Sequence, residues 1–111
     1  MKVGRIFLLV GGLLSFGLCS AQISVMHFNS KWNNDNAFDV SSLKDCETKD
    51  VVICDNPELK DKFNIISVPT IIIFDEKEEI TRFEANIMLQ LSCTLKDLQK
   101  QVDKIMIKRF E

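Results

Sequence analysis

Local pairs of metal-binding side chains are missing from this sequence. Its four cysteines include no Cys-x-x-Cys, and a single histidine rules out His-x-x-x-His. Zinc sites are usually built from such pairs, so no metal or other cofactor is expected. An excess of positive charge is missing as well: 14 Lys and Arg stand against 16 Asp and Glu, a net charge of −2. Phosphate neutralisation needs clustered basic residues, and without a basic stripe nucleic acid is not expected as a partner. No apolar run approaches the roughly 20 residues of a comfortable membrane span. Neither a serine nor a paired-carboxylate signature of hydrolysis is present, and there is no repeat or low-complexity stretch. At 111 residues the chain has room for one domain.

What is there begins with a leader. Lys2 and Arg5 precede an apolar run from Ile6 to Leu18, followed by Cys19-Ser20-Ala21. A basic start, a short apolar run and a small residue before the cut describe a secretory signal peptide. Residues 1–21 are therefore expected to be a signal peptide cleaved after Ala21, and residues 22–111 the domain. The location is expected to be periplasmic or secreted, with no membrane association after cleavage. An uncleaved anchor fits less well because the run is short, and a lipoprotein at Cys19 because Leu18 is bulky. Without Lys2 and Arg5 the remainder carries twelve basic and sixteen acidic side chains, a net charge of −4.

The most informative stretch is Ser67-Val68-Pro69-Thr70-Ile71-Ile72-Ile73-Phe74. Four large apolar residues in a row, three of them β-branched, predict a strand buried on both faces. Proline removes a ladder donor, so Pro69 belongs at the entry to that strand. A cis Val68–Pro69 bond is one way to make the entry turn tight, although trans is the commoner state. Ile23 to Phe28 alternates too weakly for a half-exposed strand and fits a second central one. Asn33 to Leu43 is expected to be a helix, capped by Asn33 or Asn34 with Asp35 at the positive end of its dipole. After a polar connection at Cys46-Glu47-Thr48-Lys49, Asp50 to Cys54 reads as a strand parallel to the first.

Asn56 is expected to cap a short helix with Pro57 in its first turn, and Leu59 and Phe63, four apart, to face the sheet. Asp75-Glu76-Lys77-Glu78, a charged turn without glycine, joins the proline strand to an edge strand over Ile80 to Ala85. Asn86 to Ser92 reads as a loop or a strand tail with a turn of helix. In the last helix Thr94 and Asp97 form a capping box, and Leu95, Leu98, Val102, Ile105 and Met106 share one face. The order βαβαββα predicts an α/β domain with a four-stranded mixed sheet, its first and third strands central and helices on both sides.

Three pieces of the chain stand in a telling order: Val25-Met26-His27-Phe28-Asn29-Ser30-Lys31-Trp32, Asp55-Asn56-Pro57-Glu58-Leu59, and Val68-Pro69-Thr70-Ile71-Ile72-Ile73-Phe74. This arrangement resembles the thioredoxin family over nearly the whole of residues 22–111. The resemblance implies a thioredoxin-like fold in a minimal form, without the extra N-terminal strand and helix of full thioredoxins. One departure outweighs the agreements. Directly after the tryptophan, where thioredoxins carry Cys-x-x-Cys, stand Asn33-Asn34-Asp35-Asn36. Thiol–disulfide exchange needs a thiolate at a helix start and a second thiol to resolve the mixed disulfide, and amides supply neither. The site is expected to be redox-inactive. His27 matches the family's buried acid, and with no nucleophile beside it a hydrogen-bonded core histidine is expected rather than a proton acceptor.

Two functions follow. The first is a binding module for a protein or an extended peptide. In the family the backbone before this proline pairs with an extended substrate, a form of strand addition. The resemblance therefore implies a groove of Trp32, Asn33, Asn34, Asp35, Asn36, Val68, Pro69 and Thr70, with Val68 and Thr70 gripping the peptide. Trp32 suits rim packing and peptide contact equally. The second is an atypical thiol–disulfide oxidoreductase in redox homeostasis that uses Cys46, Cys54 or Cys93. Three cysteines after the leader leave at least one unpaired or paired between chains. Cys46 and Cys54 could bridge, or Cys54 could be a small buried hydrophobe. The acidic neighbours Asp45, Glu47 and Asp55 disfavour a thiolate.

Overall fold

The computed structural model describes residues 22–110. The signal peptide, its cleavage after Ala21, its anchor and lipoprotein alternatives, and the expected lack of a further strand and helix ahead of the first strand all lie outside the described residues. Seven elements follow in order: β1 (Ile23–Asn29), a 3-10 helix (Lys31–Asn36), β2 (Glu47–Val52), α1 (Pro57–Lys62), β3 (Thr70–Asp75), β4 (Glu78–Glu84) and α2 (Leu95–Arg109). The sheet runs β2-β1-β3-β4. β1 and β2 are parallel, and β3 is antiparallel to both β1 and β4. The predicted mixed sheet with its first and third strands central is the sheet observed.

The unbroken Ile71-Ile72-Ile73-Phe74 run is explained by cover on both faces. Ile71 and Ile73 point to one side, where Ile23 and Val25 of β1 meet Leu98, Val102 and Ile105 of α2. Ile72 and Phe74 point to the other, where Phe28, Val51, Ile53, Ile65 and Val68 pack with Leu59 and Phe63. Phe63 stacks tilted on Phe28 and edge-on to Phe74, at 5.4 and 5.5 Å between ring centres. Arg82 then closes the C-terminal end of α1. Its guanidinium donates to the carbonyls of Phe63 and Asn64 at 2.9 and 3.2 Å while Glu79 holds it by a two-pronged ion pair.

The largest departure from expectation is the segment Asn33 to Leu43. It is not a helix. Lys31–Asn36 turns as a 3-10 helix with a non-helical backbone at Asn33, at Ala37 the chain becomes extended, and a single turn follows at residues 41–42. Asparagine side chains bond readily to nearby backbone, and here those of Asn29, Asn33 and Asn36 bond to one another and to main chain instead of leaving a free cap. Beyond the turn, Val40 and Leu43 still bury themselves against α2. Gln99 holds the far end, accepting the Lys44 N–H at 2.9 Å and donating to the Lys44 carbonyl at 3.0 Å.

Three smaller corrections concern element ends. β2 starts at Glu47 rather than Asp50 and stops at Val52, because its pairing with Ser24–Asn29 extends over polar residues that an edge strand can leave in water. β4 spans Glu78–Glu84 rather than Ile80 to Ala85. Asn56 stands at the start of α1 but does not cap it: its amide donates back to the Val52 carbonyl at 3.0 Å. The predicted capping box of α2 is present in both directions, Asp97 N–H to Thr94 Oγ1 at 3.1 Å and Thr94 N–H to Asp97 Oδ2 at 2.9 Å.

All four glycines lie within residues 1–21, so left-handed backbone falls to side chains that resist it. Asp45, Asn64, Glu76 and Leu89 have φ of 65°, 53°, 60° and 61°. Glu76 sits in the two-residue turn between β3 and β4. Glu76→Gly is expected to raise stability by about 0.5–1 kcal/mol, the relief at Cβ exceeding the added chain entropy. Ile72→Ala is expected to lower it by about 2–5 kcal/mol. Urea unfolding midpoints should move in opposite directions for the two variants.

Candidate functional site

The tightest link between distant parts of the chain is made by an asparagine. Asn33 is 4% exposed. Its side-chain Nδ2 donates to the Val68 carbonyl and to Asn29 Oδ1, both at 3.2 Å. Asn29 Nδ2 returns a bond to the Asn33 carbonyl at 3.1 Å, and Asn36 Nδ2 donates to Asn33 Oδ1 at 2.8 Å. This cluster ties the turn after Trp32 to the loop ahead of β3, in which the Val68–Pro69 peptide is cis. Thr70 closes that loop with its hydroxyl on the Ser67 carbonyl at 2.7 Å.

Above the link lies an open groove of about 430 Å³. Trp32 forms one wall, Ile65, Ile66, Ser67 and Val68 the other; Ile53, Cys54 and Leu89 also line it. Lys60 stands at the edge. Trp32 and Ile66 are 67% and 78% exposed, a large apolar area left in water at one end of the molecule.

Of the residues expected to form the groove, Trp32 and Val68 line it. Asn33, Pro69 and Thr70 are buried beneath it, and Asn33 and Thr70 spend their polar atoms on internal bonds. Asn34 lines a different cavity, Asp35 is exposed, and half-buried Asn36 bonds inward to Asn33. The residues missed are Ser30, Ile53, Lys60, Ile65, Ile66, Ser67 and Leu89. The adjacent Ile65-Ile66 pair in a loop was the available signal, since one of two such neighbours must face outward. Leu89 gave none: it arrives through the Asn86–Gln90 turn, held by Asn86 Oδ1 on the Met88 N–H at 2.8 Å.

The thiols fall into two kinds. All three described cysteines are free. The Cys46–Cys54 bridge is ruled out by position: the two flank opposite ends of β2, about 20 Å of extended chain apart. Cys54 is exposed rather than a buried hydrophobe. The backbone N–H of Lys31 and the Ser30 hydroxyl favour its thiolate and lower its pKa. Cys46 and Cys93 are half-buried against the α2 side of the core, and burial raises theirs.

His27 is buried on β1 beside a second cavity of about 500 Å³ that Asp39, Asp50 and Phe38 also line. A His–Asp pair in a cavity invites a hydrolytic reading. The ring denies it: Nε2 already accepts the Phe38 N–H at 3.1 Å, so Nδ1 carries the hydrogen and donates to Asp50 at 3.0 Å. Burial lowers the His27 pKa below its ordinary 6.5 against the pull of Asp50 and Asp39. The fold therefore has its full stability above pH 6.5 and loses some as pH falls from there towards the lowered native value.

The sequence matches no protein-family model and no curated protein. Solved structures do match. A mutant thioredoxin from Halobacterium salinarum aligns with a TM-score of 0.62 at 16% identity, over 80% of each chain. Thioredoxin-2 of a malaria parasite gives 0.61 at 23% identity, over 75% of this chain and 82% of that one. Thioredoxin 1 from Thermosipho africanus gives 0.60 at 15%, over 79% and 99%. These likenesses establish the fold: the chain has the thioredoxin fold.

The asparagine link makes a stability prediction. Asn33→Ala leaves the Val68 carbonyl and the Asn36 amide short of a partner, and is expected to cost about 1–3 kcal/mol. Asn34→Ala, on the exposed neighbour, should stay within about 0.5 kcal/mol. Thermal denaturation of both variants checks the difference.

Proposed function

We propose that this protein is a thioredoxin-fold binding module, redox-inactive at residues 33–36, that takes an extended segment of a peptide or protein into the groove between Trp32 and the Val68–Pro69 loop. One observation carries the reading. The position that would hold an attacking thiol holds the Asn33 amide, buried and bonded to Val68, while the groove beside it stays open and apolar. Trp32 and Ile66 stand exposed at the groove, and tryptophan is enriched in binding hot spots. With residues 1–21 as a cleaved signal peptide, binding takes place in the periplasm or outside the cell, without nucleic acid or membrane.

A second reading rests on Cys54. Its exposed thiol lines the same groove with a lowered pKa. As an oxidoreductase it would attack a partner's disulfide, form a mixed disulfide and release the partner's other sulfur as a thiolate. Cys46 and Cys93, with raised pKa values and partial burial, are poorly placed to resolve it.

Reduction of insulin by dithiothreitol separates the readings. The native protein is expected to add nothing to the rate of dithiothreitol alone, and a double variant Asn33→Cys, Asn36→Cys to accelerate it. Native activity comparable to the double variant, and lost in Cys54→Ser, would establish the second reading in place of the first. Because Trp32 is the single tryptophan, its emission reports groove occupancy directly. Ile66→Asp is expected to weaken binding of apolar extended peptides by about tenfold or more while leaving the unfolding midpoint unchanged.

A further inference from the structure

Away from the groove, the single histidine sits where a change of protonation has to move the backbone. His27 is 5% exposed and both ring nitrogens are engaged. Nδ1–H points at Asp50 Oδ1, and the Nε2 lone pair receives the Phe38 N–H. A second proton has one place to go, Nε2. There it would set one N–H against another at 3.1 Å, turning a bond into a repulsion.

We propose that His27 is an acid-sensitive latch: a proton on Nε2 expels the Phe38 N–H and releases residues 37–39 from β1, opening the cavity beside them. The release is local. Val40 and Leu43 stay anchored in the core and Lys44 on Gln99, so the segment opens at the end that joins the Asn33–Asn36 turn.

The charged surroundings set where the latch opens. Asp50, opposite His27 on β2, and Asp39, on the segment itself, favour the protonated ring. Lys31 lines the same cavity but is paired with Asp55. On the other side β3 presents Ile71, which carries no charge. The Asp50 side chain is 75% exposed, so water and salt weaken its pull, and burial of the ring prevails. The proton adds below the ordinary 6.5, because burial of the ring outweighs the pull of Asp50 and Asp39.

Amide hydrogen exchange followed by NMR between about pH 7.5 and 4.5, read as protection factors beside the imidazole titration, tests the latch. Phe38 protection is expected to fall by about tenfold or more at the imidazole's own midpoint, while that of Ile72 in the central strand holds. His27→Gln can offer its side-chain carbonyl to the same N–H and cannot take the proton, so its Phe38 protection should not vary with pH. Phe38 protection that persists through the imidazole titration of the native protein overturns the proposal. So does a loss with acid that is equally large in His27→Gln.

Discussion

The bond from the Asn33 amide to the Val68 carbonyl is the contact on which the rest of the functional end depends. It joins residues 35 positions apart and sets the turn after β1 against the loop before β3. Both partners are buried, so the carbonyl would otherwise lose its hydration without compensation. Asn29 and Asn36 hold the Asn33 side chain from two further directions, which fixes its orientation. The groove is the surface left over once these two loops are locked together. Its walls are apolar because its polar atoms are turned inward to make the lock.

The same arrangement changes what the turn can do. Asn33 puts a buried, hydrogen-bonded amide in the turn. The sulfur nearest the groove, Cys54, arrives from the end of β2, outside the Asn33–Asn36 turn, and no second described thiol accompanies it there. The fold is that of thioredoxins, but a fold carries many functions, and the chemistry belongs to the side chains mounted on it.

How much of this was legible depends on which force settled each piece. The Ile71–Phe74 run announced a central strand because burial on both faces leaves no other pattern. The Thr94–Asp97 box announced α2 because capping is local chemistry. The helix expected from Asn33 failed where local chemistry was ambiguous. Asparagine caps helices and also breaks them, and only the position of Val68, fixed by the tertiary fold, chose the second role for Asn33. The groove was half legible. Trp32 and Val68 could be named from the order of motifs, whereas Ile66 and Leu89 enter from loops whose paths no periodicity encodes. Thr70 was named with Val68 as gripping a peptide, yet it is fully buried and its hydroxyl closes the loop on Ser67.

The most direct measurement is an NMR titration of the protein with a mixture of extended, disulfide-free peptides, each carrying one bulky apolar residue. Amide shifts gathered at Trp32, Ile66, Val68 and Leu89, with the cavity around His27 unmoved, are the predicted result. Shifts centred elsewhere, or none at concentrations well above those of ordinary peptide recognition, would contradict the groove as the working surface of this protein.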